Sequence, residues 1–191
     1  IFKPREQKVL LRVIQEAQAA GAIAVGVDLD GAGSVAMGLK GQPVFRKSLN
    51  ELKELVESTS LPFILKGITS EEDAAAALET GCKVVCVSNH GGRTLDSMPG
   101  VAEVLPRLVP ILKGKVVVTA DGGVRTGFDA FKMLALGADF VMAGREFIRA
   151  AIGGGAEGVV AEADFLFQDL RKAMIMTGCN SLSDIDGHVF T

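Results

Sequence analysis

The chain has 191 residues with a net charge of -3, and 48% of them are hydrophobic with no low-complexity tract. This composition excludes a disordered segment, and the near-balanced charge offers no basic surface for nucleic acid or a membrane. No apolar run is long enough to span a bilayer, and Ile1-Phe2-Lys3-Pro4 has neither the form of a signal peptide nor an initiator Met, so the expectation is a cytoplasmic protein represented here in part.

Residues 6–20 read as a helix, because Val9, Leu10, Val13, Ile14 and Ala17 recur at helical spacing and Gly21 stops it. A strand over 23–28 follows. Ser48 caps a helix running to about 58, with Glu51 at the capping-box position, before a strand over 62–66. Ser70 with Asp73 opens an alanine-rich helix that Gly81 ends, and a strand over 83–87 comes next. A helix over 101–112, a strand over 116–120, a helix over 127–136 and a strand over 139–143 continue the alternation. Helices over 147–152 and 156–177 form the tail, and each of the five strands is preceded by a helix.

Two of the strand ends carry the same chemistry. The run Val116 to Ala120 opens into Asp121-Gly122-Gly123-Val124-Arg125-Thr126-Gly127, and Phe140 to Ala143 opens into Gly144-Arg145. Glycine lets the backbone approach a ligand closely, and free amides at the following helix start, with an arginine, suit a phosphate. Together they imply one shared phosphate site. The pattern predicts an α/β fold, a (β/α)8 TIM barrel with its site at the C-terminal ends of the strands and a phosphate cradle after strands seven and eight. A Rossmann or flavodoxin-like sheet wants an early glycine-rich turn, and Gly31-Ala32-Gly33 is too short a match. Five strands do not close an eight-stranded barrel, and the length falls below the roughly 250 residues typical of one. The chain is therefore expected to supply the last five strands and their helices, with the earlier strands upstream of Ile1.

The apolar run Val84 to Val87 ends in Ser88-Asn89-His90-Gly91-Gly92-Arg93, which sets one of only two histidines three residues from an arginine. A neutral imidazole accepts a proton near neutrality, and a guanidinium grips a carboxylate through two parallel hydrogen bonds. The bland alternatives are a structural histidine and a solvated arginine. Lys66 stands at the end of its strand, where a barrel keeps its chemistry, against the alternative of a surface lysine that snorkels. Cys82, Cys86 and Cys179 lack metal-ligand spacing and read as buried free thiols in a reducing compartment, so no metal is expected.

With these motifs the chain resembles the C-terminal part of the FMN-dependent 2-hydroxy-acid dehydrogenase and oxidase family, of the glycolate oxidase and lactate oxidase type. The likeness covers nearly all of the chain from the family's fourth barrel strand onward, and a short bacterial α-hydroxy-acid oxidising branch is most similar. Its specific element is Ser88-Asn89-His90-Gly91-Gly92-Arg93 with Asp96, since the phosphate loops are shared across related flavin barrels. The resemblance implies a single FMN-binding domain that oxidises a small 2-hydroxy acid to a 2-oxo acid, with hydride transfer to flavin N5. By the same resemblance His90 is the active-site base, Arg93 holds the substrate carboxylate, and Lys66 stabilises the anionic reduced flavin near N1 and O2. Cofactor contacts are implied for Ser88 at the ring edge, Asp121 at the ribityl hydroxyls, Gly122, Gly123 and Arg125 at the phosphate, and Gly144 with Arg145 completing the cradle. Asp96 would orient His90 or Arg93, and a homo-oligomer, a tetramer by family analogy, is implied as well.

Some positions depart from the family pattern. Asp28 matches the aspartate of a Thr-Val-Asp-Thr-Pro stretch, but Gly26 replaces its threonine, the connection from Gly31 to Lys47 is short with only Arg46, and the chain has no tyrosine. Two alternatives stay open: an FMN barrel of another class, such as a type 2 isopentenyl-diphosphate isomerase, and a degenerate paralogue that holds FMN without turnover.

Overall fold

Short β-branched runs separated by amphipathic helices can bury both strand faces only in a parallel sheet covered by those helices. A computed structural model of the protein, in which residues 1–190 are described, has this arrangement. Helix α1 (Gln7–Ala19) precedes β1 (Val25–Asp28), and a 3-10 turn (Leu29–Gly33), a short helix α2 (Val35–Leu39) and α3 (Leu49–Glu57) lead to β2 (Phe63–Ile68). Then come α4 (Glu71–Glu79), β3 (Val84–Val87), α5 (Val101–Leu112), β4 (Val117–Ala120), α6 (Gly127–Ala135), β5 (Phe140–Val141) and α7 (Arg145–Met176).

All four strand pairings are parallel and the sheet order is the chain order, β1-β2-β3-β4-β5. A doubly wound sheet reverses its strand order at a switch point, so this unreversed order is that of a barrel wall. One further pairing precedes β1. The Phe2 N–H donates to the Gly26 carbonyl at 2.8 Å and the Asp28 N–H donates to the Phe2 carbonyl at 2.9 Å, forming a parallel bridge between Phe2 and Val27. This single bridge lies outside the five-stranded sheet, which begins at β1 as the sequence leads one to expect.

Local signals placed most elements. Ser48 and Glu51 form the full capping box of α3, and the Ser70 hydroxyl accepts from the Asp73 N–H at α4. Helix α5 runs through Pro106 and Pro110, each of which removes a backbone donor. Its fully buried stripe of Val104, Leu105, Leu108 and Leu112 holds it against the sheet. The two tail helices are joined into α7, which breaks only at Gly155 with φ 57°. The core lies between the strands and Leu10, Ile14, Leu52, Leu55 and the α5 stripe. Among the described residues no helix is long and apolar enough to cross a membrane.

Helices α6 and α7 pack closely at Gly127. A β-carbon at Gly127 would sit 2.1 Å from the Leu166 carbonyl and 2.2 Å from the Leu170 amide nitrogen, both backbone atoms that cannot swing away. Gly127→Ala is expected to cost about 2 kcal/mol by overpacking. For a chain of this size that lowers Tm by about 4–8 °C in a circular dichroism melt; an unchanged Tm would show that α7 gives way freely.

Candidate active site

The first four strands each deliver a polar group at or just past the C-terminal end, where the register of Asp28 with Lys66 and of Lys66 with Cys86 sets them side by side. Lys66 is the hub. Its Nζ donates to Asp28 Oδ1 at 3.1 Å and to Ser88 Oγ at 2.9 Å, and lies 3.6 Å from Asp121 Oδ2. The Lys3 ammonium makes a second ion pair with Asp28, through Oδ2. Burial alone would depress the Lys66 ammonium, but Asp121, Asp28 and Asp30 outweigh it and raise its pKa. Burial likewise pushes Asp28 up, yet hydrogen bonds from Asp30 and Lys3 and the charges of Lys66 and His90 bring it down to about 2.

His90 sits at the mouth of this network with φ 55°, a left-handed conformation that costs a non-glycine residue on the order of 1–2 kcal/mol. The Ser88 hydroxyl, fully buried, accepts from the His90 N–H at 3.1 Å and so helps hold the turn. Strain of this kind concentrates where a side chain must be aimed. The imidazole Nδ1 lies 2.9 Å from Asp30 Oδ1 and 3.4 Å from Asp28 Oδ2, while Nε2 has no partner among the described residues. One ring nitrogen is tied to carboxylates and the other is left for a ligand.

A cleft of about 310 Å³ opens beside these groups, lined by Lys66, His90, Arg93, Asp121 and Arg145, with Ile1 on its rim. Arg93 and Arg145 are exposed and no carboxylate pairs with either among the described residues. The Arg145 guanidinium rests over Gly91, where a β-carbon would come within 2.7 Å of its Nη2. Asp121 Oδ1 is buried without a hydrogen-bond donor at the cleft floor. Gly122 and Gly123 line the cleft with left-handed backbones, and Gly144 starts α7 with no side-chain cap, leaving its first amides free. The unpaired Arg145 guanidinium and the free helix start suit a phosphate, and an unsatisfied carboxylate oxygen suits hydroxyl donors. The donor set thus fits FMN.

Not every residue singled out from the sequence reaches the cleft. Arg125 does not line it: its side chain is 65% exposed and its Nε lies 3.9 Å from Glu146 Oε1. At the start of α6 the amides of Arg125, Thr126 and Asp129 are already engaged, because Thr126 and Asp129 form a capping box and Asp129 Oδ2 accepts those of Arg125 and Thr126. Asp96 touches neither His90 nor Arg93; it is exposed and its Oδ1 accepts from the Ser97 N–H at 2.9 Å. Ser88 is fully buried, with its hydroxyl between the Lys66 ammonium and the His90 N–H. Two residues that the sequence motifs do not single out are central, Asp30 at His90 and Lys3 at Asp28. The Asp28-Leu29-Asp30 spacing is the available signal for the first. Cysteine chemistry is absent from the cleft, since burial and then the Asp121 charge push the Cys86 thiol up to about 12.

The profile of a family described as FMN-dependent dehydrogenase matches residues 34–191. The chain is 42% identical over 140 residues to a 2-hydroxyacid oxidase of Dictyostelium discoideum and 41% identical over 139 residues to an L-lactate dehydrogenase of Acinetobacter baumannii. Each match covers 73% of this chain and 36% of the relative, so the chain spans about a third of the length of these curated relatives. Among solved structures, mandelate oxidase with (S)-2-phenylpropionate superposes with a TM-score of 0.87 at 30% identity, over 97% of this chain and 60% of that one. Mandelate oxidase with 3,3-difluoro-2-hydroxy-3-phenylpropionic acid gives 0.86 at 30% identity over the same shares.

Proposed function

Because the chain belongs to the FMN-dependent dehydrogenase family, we propose that it carries the working face of an enzyme that oxidises a small 2-hydroxy acid to the 2-oxo acid. The observation that carries this reading is the pairing of a free His90 Nε2 with the unpaired Arg93 guanidinium on one cleft beside Lys66. Neither group is needed to hold a phosphate, and together they match an acid that presents a hydroxyl and a carboxylate. Arg93 takes the carboxylate in a forked, charge-assisted contact. His90 takes the hydroxyl proton at Nε2, with its opposite nitrogen anchored to carboxylate. When bound, FMN supplies the two-electron acceptor for the hydride that leaves the α-carbon. Lys66, Asp121, Gly122, Gly123, Gly144 and Arg145 would hold that cofactor, with Ser88 and Arg125 supporting the turn and loop around them.

The reading places the five strands in one FMN-binding barrel domain that is completed by chain outside these residues, and the exposed Phe140 on the open edge of β5 supports it. A homo-oligomer rests on family analogy, and a cytoplasmic setting on three buried free thiols. The test is the visible spectrum of the full-length, FMN-loaded protein, taken anaerobically before and after glycolate, lactate or mandelate. Bleaching of the flavin band by one of them supports the reading and begins to name the acid. A band that no 2-hydroxy acid bleaches overturns it in favour of the isomerase-like or degenerate alternative.

A further inference from the structure

The carboxylate nearest the His90 ring is not the one on β1 itself but the one two residues beyond it. Asp28 is engaged by two ammonium groups, Lys3 and Lys66, on its two oxygens. Asp30 is left to meet His90 Nδ1 at 2.9 Å, closer than Asp28 at 3.4 Å. Its seat is built by the neighbouring strand. The β2 register slips between Lys66 and Ile68, and Gly67 at the slip has φ 100°. A β-carbon there would lie 2.9 Å from both Cβ and Cγ of Asp30, so the bulge opens the space the aspartate fills.

We propose that Asp30 is a positioning residue for His90, gripping the ring at Nδ1 so that Nε2 is presented to the cleft as the bare nitrogen; its catalytic meaning rests on the 2-hydroxy-acid reading above. A carboxyl at Nδ1 selects the tautomer with the proton on Nδ1, the form whose Nε2 can accept. The second Asp30 oxygen, Oδ2, is buried with no donor. Burial first, and then Asp28, raise the Asp30 pKa. In that tautomer Asp30 Oδ1 accepts from His90 Nδ1. The carbonyl of an asparagine can accept in the same way.

The test uses the full-length protein with FMN bound, labelled with 15N-histidine and assigned with His90→Gln. Wild type is expected to carry the His90 proton on Nδ1; Asp30→Ala is expected to lose that preference, and Asp30→Asn to keep it. In anaerobic stopped flow, Asp30→Ala should slow the limiting rate of flavin reduction about 10- to 100-fold, the usual cost of losing the group that orients a working histidine. The half-saturating acid concentration should move less than about threefold, and Asp30→Asn should restore most of the rate. If Asp30→Ala does not fold, Asp30→Ser, too short to reach the ring, is expected to give the same two results. An unchanged ring-nitrogen spectrum together with a rate within about twofold of wild type would overturn the proposal. Should no 2-hydroxy acid reduce the wild-type flavin, the functional reading fails, and the ring-nitrogen spectra alone still decide whether Asp30 sets the tautomer.

Discussion

Replacing His90 with alanine is expected to slow reduction of the bound flavin by a 2-hydroxy acid about 100- to 10,000-fold, the range that a positioned general base contributes. The flavin itself should stay bound. The groups suited to its phosphate, Arg145 and the uncapped start of α7, sit on different elements from the imidazole. The backbone held by Ser88 and Asn89 also survives the substitution, since those hydroxyl and amide contacts reach the main chain of residues 90 and 91 and not the ring. A purified His90→Ala protein with full flavin absorbance and no bleaching on addition of the acid is the expected result. If bleaching persists at a rate near wild type, the proton goes elsewhere and the assignment of the base is wrong.

That histidine is legible in the amino-acid sequence because its place depends on local order. A buried apolar run must end, and the residues just past its end stand on the C-terminal face of the barrel wall. Lys66 and Asp121 follow from the same logic, and capping residues such as Ser48 and Ser70 mark the helices between. What escapes the sequence depends on neighbours far along the chain. Asp30 reaches His90 only because β2 bulges at Gly67, and nothing within the Asp28-Leu29-Asp30 stretch announces a bulge on the next strand. Lys3 reaches Asp28 only because Phe2 pairs with Val27. Arg125 departs from its expected place for a different reason. Its loop does lead into a helix start, but Thr126 and Asp129 have the capping-box spacing, and a helix that satisfies its own first amides has less to offer a phosphate. Arg145, the first residue of an uncapped helix, does line the cleft. Strand β5 is two residues long against an expected five, and among the described residues it pairs with β4 alone.

Lys66→Met is expected to damage the protein most broadly, because it removes the one cation that three strand ends share. Asp28 is only 7% exposed at its side chain and keeps Lys3, whereas Asp121 loses its only ion-pair partner among the described residues. Breaking a buried pair from one side costs about 3–5 kcal/mol, and the surviving Lys3 contact argues for the lower end. For a chain of this length about 3 kcal/mol lowers Tm by about 6–12 °C. The pH dependence separates this cause from simple loss of packing. Asp28 is depressed from the ordinary 3.8 to about 2, so the stability it contributes is fully present above 3.8 and is lost as pH falls through about 2. Lys66 is raised above its ordinary 10.5, so its share is fully present below 10.5 and disappears as pH rises past its folded value. The gap in Tm between wild type and Lys66→Met should therefore be widest and flat between those limits, and should narrow when the melts are repeated toward pH 3. A gap that stays constant into acid would mean that the lysine stem, and not its charge, was holding the strands. Flavin reduction tests the other half of the role: with the fixed positive charge gone, the variant should bleach more slowly with the same acid even at a temperature where it is fully folded.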